Sequence, residues 1–303
     1  MDADGHPCVS VIIPVYNDPN GIEVTLQSVV KQTYQNSRYE VLAVDNGSTD
    51  STMDVITGFA ERYPDLITPL EESAVQGSYA ARNKGIDESN GEILVFIDAD
   101  MTVPENWLER IVQSFEINQC DYLGYDVTIS TSNRQNLFER YELALAFPID
   151  SYLEDSNYSP TCAMSVRRSV IESVGRFDES LVSGGDKEFG RRVAESKYKQ
   201  YYDDSITVSH PARDSAYSLI TKAKRVGRGH EQFRKKHPEL SEIVHPLHPI
   251  KFLPPNPWRL QRRFSGNLEL RYIDLILFYL LSYLLKLYQS WAAIQEYQSK
   301  HIP

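Results

Sequence analysis

Four short apolar segments near the start of the chain alternate with segments of helical period, and this alternation limits the fold more than any other feature. The apolar segments are VSVIIPVY, YEVLAVDN, the weaker DLITPL, and ILVFID, which ends at Asp98. Apolar runs of this length are typical of strands buried on both faces of a parallel sheet. The sequence therefore predicts an α/β fold in which helices cover both faces of a mostly parallel sheet.

Two of the intervening segments carry explicit helix signals. Glu23 follows Asn20 at the spacing of a capping box, which predicts that Asn20 is the N-cap of the first helix. After Pro104, apolar residues fall on one helical stripe, which comprises Trp107, Leu108, Ile111, Val112 and Phe115.

Polar side chains stand where the predicted strands end. Tyr16, Asp45 and Asp98 close three of the segments, and Asp100 follows closely after Asp98. The carboxyl ends of parallel strands form the ligand-binding edge of such a sheet. Residues two apart on a strand share a face, so the carboxylates of Asp98 and Asp100 would converge. At about 4 Å they would repel by roughly 4 kcal/mol at an effective dielectric constant near 20. A cationic group is therefore expected between them.

Composition limits the class of protein. The 303 residues are enough for one large domain or two, and the net charge of −11 argues against nucleic-acid binding. Cys8, Cys120 and Cys162 are too widely spaced for a disulfide framework or a zinc site, so a reducing, cytoplasmic compartment is expected. The polar N-terminus does not resemble a secretory signal. The sequence contains no run of 18 or more uncharged apolar residues, so it predicts no membrane-spanning helix.

The second half of the chain predicts less regular structure. Strands are expected at CDYLGYDVTIS, TCAMSV and QYYDDSITVSH, the last ending at His210. Helices are expected over residues 136–147, at RRSVIESVG, at GGDKEFGRRVAES and in the apolar segment RYIDLILFYLLSYLLKLYQSWAAIQEY. Five prolines between Pro246 and Pro257 predict a linker or a strap across the surface.

Six motifs occur in a fixed order, namely VSVIIPVYN, VDNGSTDST, GSYAARNKGI, ILVFIDADMTVPENWLE, CAMSVRRSVIESVGRFDE and GGDKEFGRRV. This ordered set, over residues 9–211, resembles the family 2 inverting glycosyltransferases of the GT-A fold. The resemblance implies a Rossmann-like nucleotide-sugar-binding half in residues 1–120 and an acceptor and catalytic half in residues 121–215. A basic segment with a Pro-rich linker (216–268) and a C-terminal apolar helix (269–303) would follow.

The resemblance implies transfer of a sugar from a nucleoside-diphosphate donor to a hydroxyl of a saccharide or lipid-linked acceptor. Polysaccharide or glycolipid assembly is the expected setting. Carried over by position, the nucleotide site would comprise Pro14, Tyr16, Asn17, Asp45, Gly47, Ser48, Arg82 and Asp98. Tyr16 and Asn17 would flank the base, and Asp45 would accept its hydrogen bond. The N3–H of uracil suits a carboxylate acceptor, so UDP is the expected nucleotide. Arg82 would contact the base or the diphosphate, and Asn83 would shape that loop.

The resemblance also implies a divalent cation, Mn²⁺ or Mg²⁺. Asp100 and His210 would be its ligands, and Asp98 would bind either the ribose or the metal shell. A cation held by hard oxygen ligands neutralises a diphosphate leaving group, and a histidine ligand tilts the preference slightly towards manganese. Such a cation would explain why two carboxylates converge at one strand end.

The position of the catalytic base departs from the family pattern. The family has Glu-Asp there, whereas this chain has Gly185-Asp186. Because DKEFGRR matches the helix that follows in the family, Asp186 is the expected base and Glu188 is its rival. The base would take the proton of the acceptor hydroxyl as it attacks.

Each of these residues also has a purely structural interpretation. Asp98 and Asp100 could be turn residues, Asp45 could start a turn, and Asp186 could cap its own helix. His210 could be a solvated loop histidine, and Arg82 could form only a surface ion pair.

Two segments have several interpretations. Residues 222–236 contain seven Lys or Arg and one acid, which fits a solvated helical face or an electropositive rim for a diphosphate or a phosphorylated lipid. Gly227 and Gly229 weaken the helix prediction there.

The C-terminal helix is apolar nearly all round over residues 275–285, too short to span a bilayer. It would pack on the core, on a partner subunit of a homo-oligomer, or in a membrane surface on the cytoplasmic side. Arg259, Arg262 and Arg263 favour the membrane margin.

Other classes of function fit less well. IIPVYNDPNG lacks the glycine-rich loop of sugar nucleotidyltransferases and the Gly-x-Gly-x-x-Gly turn of nicotinamide dehydrogenases. A non-catalytic sugar-nucleotide-binding or scaffold protein of the same fold stays as the alternative, because Gly185 replaces the family glutamate. The sugar, the acceptor and the pathway cannot be read from the sequence.

Overall fold

The protein is described by a computed structural model that covers residues 7–145, 147–264 and 270–299. Seven strands form one sheet in the order β3-β2-β1-β4-β6-β5-β7. The strands are β1 (Val9–Val15), β2 (Tyr39–Asp45), β3 (Ile67–Glu71), β4 (Ile93–Phe96), β5 (Tyr122–Ser130), β6 (Met164–Arg167) and β7 (Gln200–Pro211).

Eleven α-helices occur among these residues. They are α1 (Pro19–Val29), α2 (Thr52–Arg62), α3 (Ser78–Glu88), α4 (Trp107–Asn118), α5 (Leu137–Leu145), α6 (Ile149–Ser156), α7 (Arg168–Val174), α8 (Gly185–Glu195), α9 (Ala216–Lys236), α10 (Pro257–Arg263) and α11 (Tyr272–Ser299).

The predicted α/β fold with a mostly parallel sheet is confirmed. β1 pairs in parallel with β2 and β4, and β2 pairs in parallel with β3. β6 is antiparallel to both β4 and β5, so a strand from the second half of the chain lies beside the central parallel strands. The sheet therefore draws on both halves that the sequence predicted.

Burial explains why these segments form strands and helices. All residues of β1 and β4 are buried, as expected for strands covered on both faces. The five apolar residues predicted to share one stripe of α4 are all buried as well. Each such side chain stabilises the fold by about 1.5–3 kcal/mol relative to its exposed state.

The chain divides into two compact units. The first comprises the residues up to Thr128 together with Phe147–Ser180 and Gly185–His210, and it contains nearly all of the sheet. The second comprises Ile129–Ala146, Leu181–Gly184 and Pro211–Pro303. In the second unit, a buried cluster centres on Tyr141, Leu219 and Phe278. The domain limits inferred from the sequence stay a prediction.

The first helix begins differently from the prediction. Its N-cap is Asp18, whose Oδ1 accepts a hydrogen bond from the backbone N–H of Gly21 at 2.9 Å. Pro19 occupies the first helical turn, where its missing N–H costs nothing. The prediction of Asn20 as N-cap is therefore wrong, because the proline moves the start of the helix forward.

The basic segment forms one continuous helix, α9, in spite of its two internal glycines. A Cβ at Gly227 would lie 2.1 Å from the carbonyl oxygen of Gln289 on α11. A Cβ at Gly229 would lie 2.5 Å from the side chain of Ser183. These glycines are therefore sites of close packing within the second unit, not breaks in the helix.

The C-terminal helix is longer than its most apolar part suggested. α11 runs for 28 residues from Tyr272 to Ser299. Among the described residues, it is the single helix long and apolar enough to cross a membrane by length and composition. The sequence indicated that residues 275–285 are too short to span a bilayer. That conclusion does not apply to the whole 28-residue helix.

Candidate active site

The loops that follow β1 and β2 are tied to each other at the carboxyl edge of the sheet. The Asp45 carboxylate is buried and accepts hydrogen bonds from the backbone N–H of Ser48, at 3.1 Å, and from the Ser48 hydroxyl. The Ser48 Oγ in turn accepts from the backbone N–H of Asn17 at 2.8 Å. Gly47 has a φ of +73°, in the region that favours glycine. Asp45 thus starts and shapes this turn, which agrees with the structural interpretation given for it in the sequence analysis.

Tyr16 and Pro14 differ in how they are placed. The Tyr16 side chain is 51% exposed at the end of β1, so its ring is open to a ligand. Pro14 is buried inside β1 opposite Val44 of β2, so a ligand could meet its backbone but not its ring.

Asn46, which the sequence analysis did not single out, organises the next loop. Its side-chain N–H₂ donates to the carbonyl oxygens of Glu72 and Val75, at 2.7 and 2.9 Å. Its Oδ1 accepts from the backbone N–H of Gly77 at 2.6 Å, directly before α3. The buried asparagine thereby fixes the loop that delivers Arg82. A polar residue directly after a strand-end aspartate was the available signal.

Arg82 is buried and forms an ion pair with Asp98. Its Nη2 lies 2.6 Å from Asp98 Oδ1, while only 4% of the Arg82 side chain is exposed. The interpretation of Arg82 as a surface residue is therefore wrong. Its buried Nε–H finds no hydrogen-bond partner among the described residues. A buried guanidinium with an unused donor suits an anionic ligand. Arg82 also supplies part of the cationic charge expected near the two carboxylates.

Asp100 faces a different partner. Its Oδ1 lies 3.9 Å from His210 Nε2. Thr102 and Ser209 form an antiparallel bridge with N–O distances of 2.9 Å, which brings the end of β7 beside the loop after β4. His210 is buried within β7, so the interpretation as a solvated loop histidine is wrong.

The Asp100–His210 pair fits a divalent cation that has further ligands outside the protein. At metal–ligand distances of about 2.1 Å, two ligands of one octahedral ion lie about 3 Å apart when adjacent and about 4.2 Å apart when opposite. The observed 3.9 Å lies between these two values, so a small side-chain movement would bring the pair to either arrangement. Among the described residues, no three His, Cys, Asp or Glu side chains form a ready metal cluster. Mg²⁺-type ions complete such sites with water and substrate phosphates.

Asp186 lies in the first turn of α8, against the side chain of Tyr79. The buried Tyr79 hydroxyl accepts hydrogen bonds from the backbone N–H groups of Gly185, at 2.9 Å, and Asp186, at 3.3 Å. It lies 3.4 Å from Asp186 Oδ1, to which it donates. Burial raises the pKa of Asp186, although the Lys187 N–H and the charge of Arg82 act against the shift. A carboxylate of raised pKa is a stronger base.

The Tyr79 ring accounts for the glycine at position 185. A Cβ on Gly185 would lie 2.8 Å from two atoms of that ring. Any larger side chain, including the glutamate of the family pattern, would require the ring to move. The Arg82 guanidinium lies over the same ring, 5.7 Å from its centroid. Tyr79 therefore contacts both the ion-pairing arginine and the base candidate, and no motif in the sequence indicated this.

Glu188, the rival base, is already engaged. Its two carboxylate oxygens accept from Arg192 Nε and Nη2, at 2.6 and 2.8 Å, and its side chain is buried. A bidentate ion pair of this kind occupies both carboxylate oxygens and holds them away from a substrate proton.

Cys162 is a buried thiol within electrostatic reach of the same groups. Its pKa is raised well above the usual value, first by burial and then by the negative charges of Asp98, Asp186 and Asp100, while Arg82 acts against the shift. Asp98, Asp100 and Asp186 are therefore all close enough to Cys162 to act on its pKa, a proximity that the sequence could not establish.

The fold and this site define a class of protein: an α/β domain with a mostly parallel sheet and acidic residues at and just after its strand ends. The family model for glycosyl transferase family 2 matches residues 10–175, and the chain belongs to that family. It is 39% identical over 226 residues to the glycosyltransferase AglE of Haloferax volcanii. The aligned region covers 75% of this chain and 74% of that protein. It is 34% identical to an uncharacterized glycosyltransferase of Nostoc over 56% of this chain and 54% of that protein.

Solved structures share the fold at lower identity. The mannosyltransferase PcManGT from Pyrobaculum calidifontis, in complex with GDP-Man and Mn²⁺, matches with a TM-score of 0.65 and 21% identity over 98% of this chain and 89% of that one. The TarS 1–349 fragment of S. aureus, in complex with UDP, matches with a TM-score of 0.52 and 17% identity, covering 97% and 92%. The GT-A fold predicted from the sequence is thereby confirmed.

Proposed function

We propose that this glycosyltransferase uses a divalent cation to transfer a hexose from a nucleoside diphosphate to an acceptor hydroxyl, with inversion at the anomeric carbon. The observation that carries the proposal is the pairing of Arg82 with Asp98 beside the pair of Asp100 and His210. The first pair brings a buried positive charge to the strand ends, and the second offers two ligands for Mn²⁺ or Mg²⁺. The Mn²⁺ complex of PcManGT supports a metal ion in this fold.

In this proposal the protein side chains act at both ends of the reaction. When bound, the cation would act as a Lewis acid that offsets charge on the diphosphate. Arg82 adds fixed positive charge for the same anion, and its buried position avoids reorganisation during the reaction. Asp186 takes the proton of the attacking hydroxyl from the opposite face of the sugar, an effect typically worth about 10²–10⁴ in rate.

UDP is the proposed nucleotide. The Asp45 carboxylate has further lone pairs beyond those that accept from Ser48, so it can still accept from the N3–H of uracil. The UDP complex of TarS supports this choice, whereas the GDP-Man complex of PcManGT supports GDP as the competitor. The acceptor is proposed to be a saccharide or a lipid-linked hydroxyl at the cytoplasmic face of a membrane.

Thermal unfolding with UDP, GDP and dTDP, each with and without Mn²⁺, tests the donor site. A nucleotide at about 100 times its dissociation constant should add roughly 2.7 kcal/mol to the free energy of unfolding. We expect the UDP effect to require Mn²⁺ and to be lost in Asp100→Ala and His210→Ala. No shift with any nucleotide would contradict the donor site. Nucleotide binding without turnover of any sugar donor would support a scaffold instead.

A further inference from the structure

The outer face of α11 reverses the pattern of a helix in a soluble protein. Between Tyr272 and Trp291, every exposed residue is apolar or aromatic, and the charged residues of that stretch are buried or half-buried. The exposed residues recur every three or four positions and so form one stripe along the helix. We call this set the apolar stripe; after Tyr272 it comprises Ile273, Ile276, Leu277, Leu280, Leu284, Tyr288 and Trp291.

Further exposed apolar side chains accompany α11 in the second unit. Phe252 and Leu253 belong to the Pro-rich strap, and Trp258 at the start of α10 is 76% exposed. The strap is held to α11 by Lys286 Nζ, which donates to the carbonyl oxygens of Ile250 and Leu253 at 2.9 and 2.8 Å. A contiguous exposed patch of this extent marks an interaction surface.

The charge around the apolar stripe is positive, although the chain as a whole is acidic. Residues 249–264 contain one lysine and three arginines and no acid, against a net charge of −11 for the chain. Arg259, Arg262 and Arg263 on α10 are all exposed. At the other end of the stripe, Lys224 Nζ lies 5.7 and 5.4 Å from the ring centroids of Tyr288 and Trp291.

Apolar residues flanked by arginine, lysine, tyrosine and tryptophan match the headgroup region of an anionic bilayer. We propose that the apolar stripe lies in the surface of such a bilayer, with α11 parallel to the membrane plane. A second copy of the chain fits this surface less well. An isologous contact would bring the same basic patch of each copy to the interface, where like charges repel.

The inner face of α11 explains why the helix lies on the membrane and does not cross it. Asp274 is 2% exposed and forms hydrogen bonds with Arg140 Nη1 and Nη2 at 3.0 and 2.6 Å. Phe278 is fully buried and packs on the Tyr141 ring, with centroids 5.6 Å apart. A spanning helix would have to leave these contacts and carry Asp274 and Lys286 into hydrocarbon, which is costly.

A groove between α10 and α11 adds a second feature to the same surface. It has a volume of about 390 Å³ and is lined mainly by apolar side chains, including Leu260, Phe264, Ile276 and Leu280. Ile276 and Leu280 belong to both the groove and the apolar stripe. The groove is therefore continuous with the face that we place in the bilayer, and an acyl chain is its matching occupant.

Flotation of the purified full chain with vesicles tests this proposal independently of the proposed function, because no nucleotide or turnover is involved. The vesicles contain phosphatidylcholine alone or phosphatidylcholine mixed with phosphatidylglycerol. We expect binding to the mixed vesicles, with a blue shift of the emission of Trp258 and Trp291. The triple variant Ile276→Gln, Leu280→Gln, Leu284→Gln should bind at least about 100-fold more weakly, since it removes three side chains from the interface.

Two further variants separate the contributions. Ile117→Gln, on α4, changes an apolar residue that is 75% exposed outside the stripe, and it should bind vesicles like the wild type. The variant Arg259→Gln, Arg262→Gln, Arg263→Gln should lose about fivefold per arginine on the anionic vesicles only. Unchanged unfolding temperatures will show that these exposed substitutions leave the fold intact.

Four results would overturn the proposal. The first is an absence of vesicle binding by the wild type, and the second is full binding by the triple stripe variant. The third is a dimer in sedimentation velocity that the stripe variant dissociates while neither protein binds vesicles; this would assign the surface to a second copy. Membrane-bound chain that resists alkaline carbonate would instead show that α11 spans the bilayer, and it would overturn the in-plane arrangement.

Discussion

At the scale of single residues, the proposed mechanism depends on which carboxylate is left available to act as a base. Asp186 and Glu188 are two positions apart in α8, yet their surroundings differ. Glu188 is held by two hydrogen bonds from Arg192, whereas Asp186 lies against the Tyr79 hydroxyl and has a raised pKa. These surroundings favour Asp186 over Glu188 as the proposed base.

We expect Asp186→Asn to lower kcat by about 10²–10⁴ and to leave the affinity for the nucleotide unchanged, because the amide cannot take a proton. Steady-state kinetics with the donor identified by thermal unfolding will measure this effect. Glu188→Gln is the matched control. It breaks the ion pair with Arg192 and should lower the unfolding temperature, while kcat per folded enzyme stays within about tenfold. The opposite pattern would assign the base to Glu188.

The raised pKa of Asp186 also predicts a pH-dependent stability effect. The native state holds this proton more tightly than the unfolded state does, so the ionised carboxylate costs stability above its native pKa. Asp186→Asn removes that charge. Its free energy of unfolding should exceed that of the wild type at neutral pH, and the difference should vanish below the unfolded-state pKa of about 3.9. Denaturant unfolding at several pH values will measure it, and an equal difference at all pH values would contradict it.

Tyr79→Phe should move the acidic limb of the pH–rate profile to higher pH. The Tyr79 hydroxyl donates to Asp186 and so lowers the pKa of that carboxyl; its loss raises the pKa further, and the base protonates sooner as the pH falls. The variant should also lose about 1–3 kcal/mol of stability, because two backbone N–H groups lose their acceptor. A profile that keeps its position while kcat drops would show that Tyr79 is only structural.

At the scale of secondary-structure elements, the sequence predicted well which segments form strands. It predicted less well which strands lie next to each other in the sheet. The four parallel strands were expected from their apolar runs, and the stripe of α4 was expected from its period. The antiparallel insertion of β6 beside β4 was not expected, since strand order follows long-range pairing that a local pattern does not contain. α6 was also missed, because its eight residues are too short for a clear period.

Two glycines inside helices allow a test of whether close packing or helix propensity decides how a Gly→Ala change affects the free energy of unfolding. Gly227→Ala on α9 places a Cβ 2.1 Å from the backbone oxygen of Gln289, so we expect a loss of about 1–3 kcal/mol in spite of the better helix propensity of alanine. Gly58→Ala on α2 is the control. Nothing lies within 4 Å of its added Cβ, and it should gain about 0.5–1 kcal/mol. Chemical denaturation of both variants will show whether the signs differ.

At the scale of the whole molecule, we expect stability to come from the buried sheet rather than from a bound ion. The strands β1 and β4 are buried throughout, whereas the side chain of Asp100 is 39% exposed. We therefore expect EDTA to abolish turnover and to change the unfolding temperature of the nucleotide-free protein by less than about 2 °C. Added Mn²⁺ should restore the activity. Full turnover in EDTA would contradict the role proposed for the cation.

The sequence by itself determined the α/β class, the family and the position of Asp45 at the end of β2; Asp98 and Asp100 lie just after β4, which ends at Phe96 and not at Asp98 as predicted. These follow from local patterns, since apolar runs and spacings along the chain are visible without knowledge of the fold. It also predicted the strap and the apolar helix in the last part of the chain.

Only the tertiary structure decided which partners these residues contact. It paired Arg82 with Asp98, brought His210 to Asp100, and placed the Tyr79 ring where Gly185 leaves room. It also separated the buried face of α11 from its exposed stripe, although the sequence of that helix is apolar nearly all round. Each of these outcomes joins residues far apart in the chain, and the packing that selects such partners is a property of the folded molecule alone.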